Sequence, residues 1–219
     1  MPRLVFEKVG GAVYMSHLDL MRLFQRAFKR AGMPLTHTQG FNPRPSVSIA
    51  LPLSVGVESV CELLEFDLDG EAVPYEEILQ RLNAVLVPGV RVLKAYPQGD
   101  KIKNLAYLDC EIRLEYDGGI SDDGAAALEA LFRQSSLIVE KKGKNGISQQ
   151  DIIPMIRSLE ILREDDLTLV LSARICCQNP TLNPSQLLAA IEKYLPEWKP
   201  DFACCRRLEI YDTKEKVFR

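Results

Sequence analysis

Twice along this chain a strand-like run is followed by a capped helix, further strand-like runs (two in the first half, three in the second), a proline-opened helix and a closing strand. That order constrains the fold more than composition does. Each helix is apolar along one stripe only, so it must lie on one face of a sheet built from the strands around it. In the first half, residues 3–14 (RLVFEKVGGAVY) read as a strand interrupted at Gly10-Gly11 by a bulge or turn. Ser16 and Asp19 fit a capping box that opens a helix. Leu20, Leu23, Phe24, Ala27, Phe28 and Ala31 recur at three- and four-residue spacing, and Gly32 followed by Pro34 stops the helix. Residues 46–53 and 60–69 alternate as strands around a Gly56-containing hairpin. Pro74 opens a second helix to residue 86, Pro88-Gly89 ends it, and residues 90–96 form the closing strand.

The polar stretch 97–104 (PQGDKIKN) reads as a boundary, after which the order recurs. Residues 106–116 alternate as a strand, and Ser121 or Asp122 caps a helix to residue 133. A short strand at 137–141 leads into a basic turn at 141–146, and residues 148–155 read as a helical turn stopped near Pro154. Residues 158–163 and 167–177 pair around the acidic turn Glu164-Asp165-Asp166. Asn183 and Pro184 start a helix to Leu195, and residues 203–212 make the last strand. The β-α-β-β-α-β order is the ferredoxin-like pattern. The expectation is therefore an α+β protein of tandem ferredoxin-like halves, with a ferredoxin-like domain at 1–97 and a modified one at 105–219. Element order alone carries the duplication, because the halves share no close sequence repeat.

The first helix bears Arg22, Gln25, Arg26, Lys29 and Arg30 on its polar face. At helical spacing these form a basic ridge. One reading is a solvated face whose last cations complement the helix dipole. The other is a phosphate-contacting surface, since clustered Arg and Lys mark nucleic-acid binding. The segment that follows carries Gln39, Phe41, Asn42 and Arg44, with Pro43 and Pro45 stiffening it. A guanidinium on such a backbone suits an anion or a base, and a packed connection without a ligand is the alternative. Lys141, Lys142 and Lys144 pose the same choice between a solvated hairpin tip and an RNA or anion site.

Catalytic signatures are sparse. The chain lacks the P-loop, dinucleotide-fingerprint, zincin and nucleophile-elbow motifs. His17 and His37 are its two histidines and its ordinary carriers of protons near neutral pH. They are the candidate catalytic pair if they converge at one end of a sheet. The six cysteines form no C-x-x-C pair, so no metal or cofactor is expected. Free, buried thiols without a disulfide are expected instead, with Cys176 or Cys177 approaching Cys204 or Cys205 if their strands adjoin. A net charge of −3 argues against bulk nonspecific nucleic-acid binding, so any such role rests on local patches. No run reaches transmembrane length and the first residues lack a signal-peptide core, so the expected place is the cytoplasm and no membrane partner is expected.

The runs MSHLDLMR at 15–22, RAG at 30–32, QGFNP at 39–43 and LPLSVGVES at 51–59 resemble the bacterial radical SAM-linked protein family, a domain of unknown function. Its members are often fused to, or encoded beside, cobalamin-binding radical SAM proteins. That family often has His where this chain has Arg44, which weakens an acid–base role there and leaves anion binding intact. The C-x-x-x-C-x-x-C cluster motif is absent, so the resemblance implies a partner of the SAM enzyme. The tandem order also resembles the RNA-binding RAMP proteins of CRISPR systems, at the level of fold only. Three functions follow as expectations. One is a non-catalytic RNA-binding accessory to a radical SAM enzyme, working in RNA modification. Another is a metal-independent ribonuclease or other small enzyme using His17 and His37. The third is a protein-interaction subunit that binds no RNA.

Overall fold

The computed structural model describes residues 1–143 and 146–219. The chain is mixed α+β and separates into two units, Met1–Lys103 with Arg219, and Asn104–Phe218.

In the first unit, β1 (Arg3–Lys8) leads through a 3-10 turn at Gly10–Tyr14 into α1 (His17–Arg30). Then come β2 (Val47–Ala50), β3 (Val57–Phe66), α2 (Tyr75–Asn83) and β4 (Val90–Tyr96). The strands lie in the order β4-β1-β3-β2, and every neighbouring pair is antiparallel. The first strand is thus shorter than its apolar run. Gly10, at φ +56°, turns the chain out of the strand. Leu20, Phe24, Ala27 and Phe28 of α1 and Ile78 and Leu82 of α2 join one buried cluster with Leu4, Phe6, Leu64 and Phe66. Both helices therefore cover the same sheet face. Phe6 meets Phe24 edge to face at 4.7 Å, a geometry that adds about 0.5–1.5 kcal/mol to the burial itself.

Both ends of α1 are set by local sequence. The Ser16 hydroxyl accepts the Asp19 backbone N–H at 3.2 Å and donates to the Asp19 carboxylate at 2.7 Å. Asp19 thus reaches back to the hydroxyl. At the other end Gly32 stands at φ +70°. Met33 N–H donates to the Phe28 carbonyl at 3.0 Å and Gly32 N–H to that of Lys29 at 3.2 Å. This is a Schellman stop, and the buried Met33 supplies its apolar contact.

The second unit runs β5 (Leu105–Glu115), α3 (Asp122–Phe132), β6 (Ile138–Gly143), β7 (Gly146–Asp151), β8 (Ile156–Arg163), β9 (Thr168–Cys176), α4 (Pro184–Tyr194) and β10 (Phe202–Asp212). Its sheet has the order β10-β5-β9-β8, again antiparallel, while β6 and β7 form a separate ribbon. Setting the ribbon aside, both units place their four strands in the order fourth, first, third, second.

The expected helical turn at 148–155 is a correction. Ser148, Gln149 and Gln150 pair with Lys141, Glu140 and Val139 as strand residues. Only Ile153–Met155 coils, as a 3-10 turn. Gly143 and Gly146 face each other across the ribbon, and that hairpin pairing overrides the local helix preference of the glutamines. Asp151 ends the strand by accepting the Leu137 N–H at 2.9 Å and the Ile153 N–H at 3.2 Å. In α3, Gly124 has a packing reason. A Cβ there would meet the Trp198 ring at 2.7 Å.

Candidate nucleic-acid interface

The polar face of α1 projects Arg22, Arg26, Lys29 and Arg30 outward, with Gln25 partly covered beside them. Their settings differ. Arg22 pairs with Asp19 one turn earlier at 3.2 Å. Arg30 donates to the Val85 carbonyl at 2.8 Å, just past the end of α2. Arg30 thus serves the fold, satisfying a carbonyl at a helix terminus. Arg26 and Lys29 have no ion-pair partner among the described residues. They are the cations free to meet an anion, with Arg22 available by exchange from an exposed pair worth little in water.

The segment after α1 is a hairpin stitched to the sheet. Asp69 N–H donates to the Pro34 carbonyl at 2.8 Å, Thr36 N–H to Asp67 at 3.0 Å, and Asp67 N–H to Ser46 at 3.0 Å. The two legs hold each other through Ser46 N–H to Thr36 at 2.7 Å and Thr38 N–H to Arg44 at 2.8 Å. Arg44 N–H also donates to the Thr38 hydroxyl at 3.0 Å. Beyond these bonds, Gln39, Asn42 and Arg44 are exposed, and their side chains make no hydrogen bond among the described residues. Phe41 at the tip is 100% exposed.

The two histidines do not converge, contrary to what a shared mechanism needs. His17 is the first residue of α1, and the preceding turn is fixed by Gly56 N–H donating to Val13, just before β3 begins. His37 follows Thr36, which is fixed to Asp67, just after β3 ends. The ten residues of β3 lie between the two anchors, or about 33 Å of strand. Passage through α1 carries the chain from one end of the sheet to the other, so a strand–helix–strand unit separates its helix start from its helix exit.

On the ribbon, partly covered Lys141 donates to the Thr181 carbonyl at 3.1 Å, which ties it to the fold. The Lys142 side chain and Lys144 lie outside the described residues.

Sequence reading missed a cluster in the second unit. Arg174 grips Asp109 with two bonds of 2.8 and 2.9 Å, and Tyr211 donates to the same carboxylate at 2.7 Å. The Arg174 guanidinium stacks 3.9 Å over the Tyr211 ring, and Arg157 lies over Tyr107. Burial opposes ionisation of Asp109, but the Arg174 and Tyr211 bonds prevail and hold its carboxyl below the ordinary range. The alternation of β5 places Tyr107 and Asp109 on one face, which is the signal available in sequence. Arg174 also pairs with Glu215 at 3.3 Å, so its charge is taken up within the unit, while exposed Arg157 donates to the Tyr107 hydroxyl. All six cysteines are free, and burial pushes the Cys177 thiol up to about 11. Cys205 of β10 adjoins Cys110 of β5 as a free thiol, and β5 separates β10 from the β9 that carries Cys176. A hollow of about 390 Å3 follows β8 beside the last turn of α3, and none of the candidate residues lines it. Among the described residues no three His, Cys, Asp or Glu side chains gather to hold a metal, and no helix is long and apolar enough to cross a membrane.

A family model described as "Uncharacterized protein conserved in bacteria (DUF2344)" matches residues 2–184. No curated protein matches. Among solved structures, a chain in the crystal structure of a Cbf5-Nop10-Gar1 complex is similar at TM-score 0.52 and 8% identity. The match covers 95% of this chain and 48% of that one, so this chain spans about half its length; the likeness is one of fold. The crystal structure of an unknown protein from Galdieria sulphuraria shares 14% identity over 94% of this chain and 96% of that one, at a TM-score of 0.26 that carries no argument.

Proposed function

For this chain, which belongs to the DUF2344 family of proteins conserved in bacteria, we propose the role of a non-catalytic RNA-binding accessory to a radical SAM enzyme, working in RNA modification in the cytoplasm. The observation that carries the RNA part is the run of exposed cations on α1, with Arg26 and Lys29 unpaired among the described residues, followed directly by the stitched hairpin of Arg44. Phosphate contacts need cations that the fold does not already consume. The radical SAM part rests on the motif resemblance at 15–22, 39–43 and 51–59. The repeated strand order supports reading residues 1–97 and 105–219 as ferredoxin-like domains of the kind found in RAMP proteins. The separation of His17 from His37 counts against the histidine ribonuclease.

A specific observation also favours the protein-interaction subunit. At the end of the first unit away from the hairpin, Tyr14, Leu18 and Val55 are 77%, 63% and 56% exposed. Apolar side chains gathered in one region suit a protein partner. In the accessory reading this end faces the enzyme. The test is purification of the tagged chain from its native cells under mild crosslinking, with protein and RNA identified together. A radical SAM protein and RNA recovered together are expected. A protein partner without RNA favours the interaction subunit, and recovery of neither removes both readings.

A further inference from the structure

We infer that Phe41 is a stacking platform for an unpaired nucleobase, so that the RNA met by this surface is single-stranded or looped. The inference rests on the RNA-binding reading above and names the form of its substrate.

The hairpin is hydrogen-bonded up to its tip and bare at its tip. Backbone bonds of 2.7 and 2.8 Å join the legs at Thr36–Ser46 and Thr38–Arg44, and the bonds to Asp67 fix the base to the sheet. Residues 39–43 project beyond the last of them. Gly40 takes a φ of +134°, which a side chain would resist, and Pro43 limits the return leg. The turn therefore has a defined shape, and what it presents is a phenyl ring packed against nothing, 100% exposed. A polar residue would serve a mere surface turn without placing apolar area in water.

The surroundings identify the partner. Around Phe41 in the hairpin, His37, Thr38, Gln39, Asn42 and Arg44 are exposed and polar, one of them a cation, and Gly40 and Pro43 add little apolar surface. Two carboxylates stand at the base, away from the tip: Asp67, which accepts the Thr36 hydroxyl at 3.0 Å, and Asp69, whose N–H donates to Pro34. The hairpin leaves the sheet at the end where α1 delivers Lys29 and Arg30. The next most exposed apolar side chains of this unit, Tyr14, Leu18 and Val55, lie at the other end. A protein pocket would seat Phe41 within an apolar surround, which the hairpin lacks. A base needs a flat ring, and its phosphates need nearby cations; this is the pairing that single-strand binders use. A duplex hides its base faces, so the ring selects unpaired nucleotides.

The test uses the full chain with Phe41→Ala, Phe41→Leu and Phe41→Trp, and a labelled 12-nucleotide oligo(U) RNA, free or annealed to oligo(A). Full exposure of Phe41 leaves the fold indifferent to these changes. The parent is expected to prefer the single strand. Ala and Leu should each weaken oligo(U) binding about tenfold. Trp should retain affinity, and its emission should be quenched as RNA is added, against the constant background of Trp198. Leu binding as well as Phe, or Trp emission unmoved while RNA binds, overturns the stacking role and leaves the RNA reading standing. Phe41→Ala weakening capture of a protein partner with oligo(U) affinity unchanged overturns it too, assigning the ring to a protein pocket. A parent chain that binds neither RNA form defeats both inferences.

Discussion

Arginines of the same charge do different work in this molecule, and their settings say which. Arg174 is committed to Asp109 by two bonds, Arg30 to a carbonyl, and Arg22 loosely to Asp19. Arg26 and Arg44 hold no side-chain partner among the described residues. They still differ, because Arg26 rides a helix face and Arg44 sits between Pro43 and Pro45 on a leg fixed by Thr38. A guanidinium held on a stiff leg can offer two parallel N–H donors to one phosphate or base edge, and an ammonium cannot. Arg44→Lys should therefore weaken RNA binding by about tenfold, while Arg26→Lys should change it by less than about twofold, since a surface charge survives the exchange. Filter binding at fixed salt distinguishes these, and equal tolerance of both would reduce Arg44 to a general surface charge.

At the level of elements, the ends of α1 were written in its sequence and the ribbon was not. Ser16, Asp19 and Gly32 act through bonds within a few residues, so their roles were legible. Gly32→Ala tests the stop. A residue with a Cβ at φ +70° should cost about 1 kcal/mol, read as a lower urea midpoint at unchanged slope for the whole chain. No change in midpoint would mean that the helix exit relaxes without the left-handed residue. The β6–β7 ribbon depends on pairing across a turn, and Gln149-Gln150 carry no strand signal of their own, which is why residues 148–155 read as helical. Whether His17 and His37 converge was also beyond sequence. Both flank one helix, and only the topology reveals that its two ends lie at opposite ends of β3. The Arg174–Asp109–Tyr211 cluster joins three strands distant in sequence, and no local spacing encodes it.

For the molecule as a whole, the net charge of −3 means that no broad field draws nucleic acid to it. The proposed RNA binding therefore rests on the α1 face and the hairpin, with few phosphate contacts. Each contact contributes about −0.7 to the slope of log affinity against log salt for a single strand. Replacing Arg22 and Arg26 together with Ala should flatten that slope by roughly one to two units and weaken all sequences alike. Salt-independent binding, or affinity untouched by the double change, would turn this face into a protein contact. The strand orders carry one more consequence, for how the chain is made. All four sheet strands of the first unit lie between Arg3 and Tyr96, so they have left the ribosome before β5 is complete. In the second unit β5 is central, and its partner on one side is the last strand, with Leu105 paired to Asp212. At about 5–20 residues per second, β5 waits roughly 5–20 s with that edge bare. During that wait the bare edge of β5 is a place where a chaperone's cover would matter.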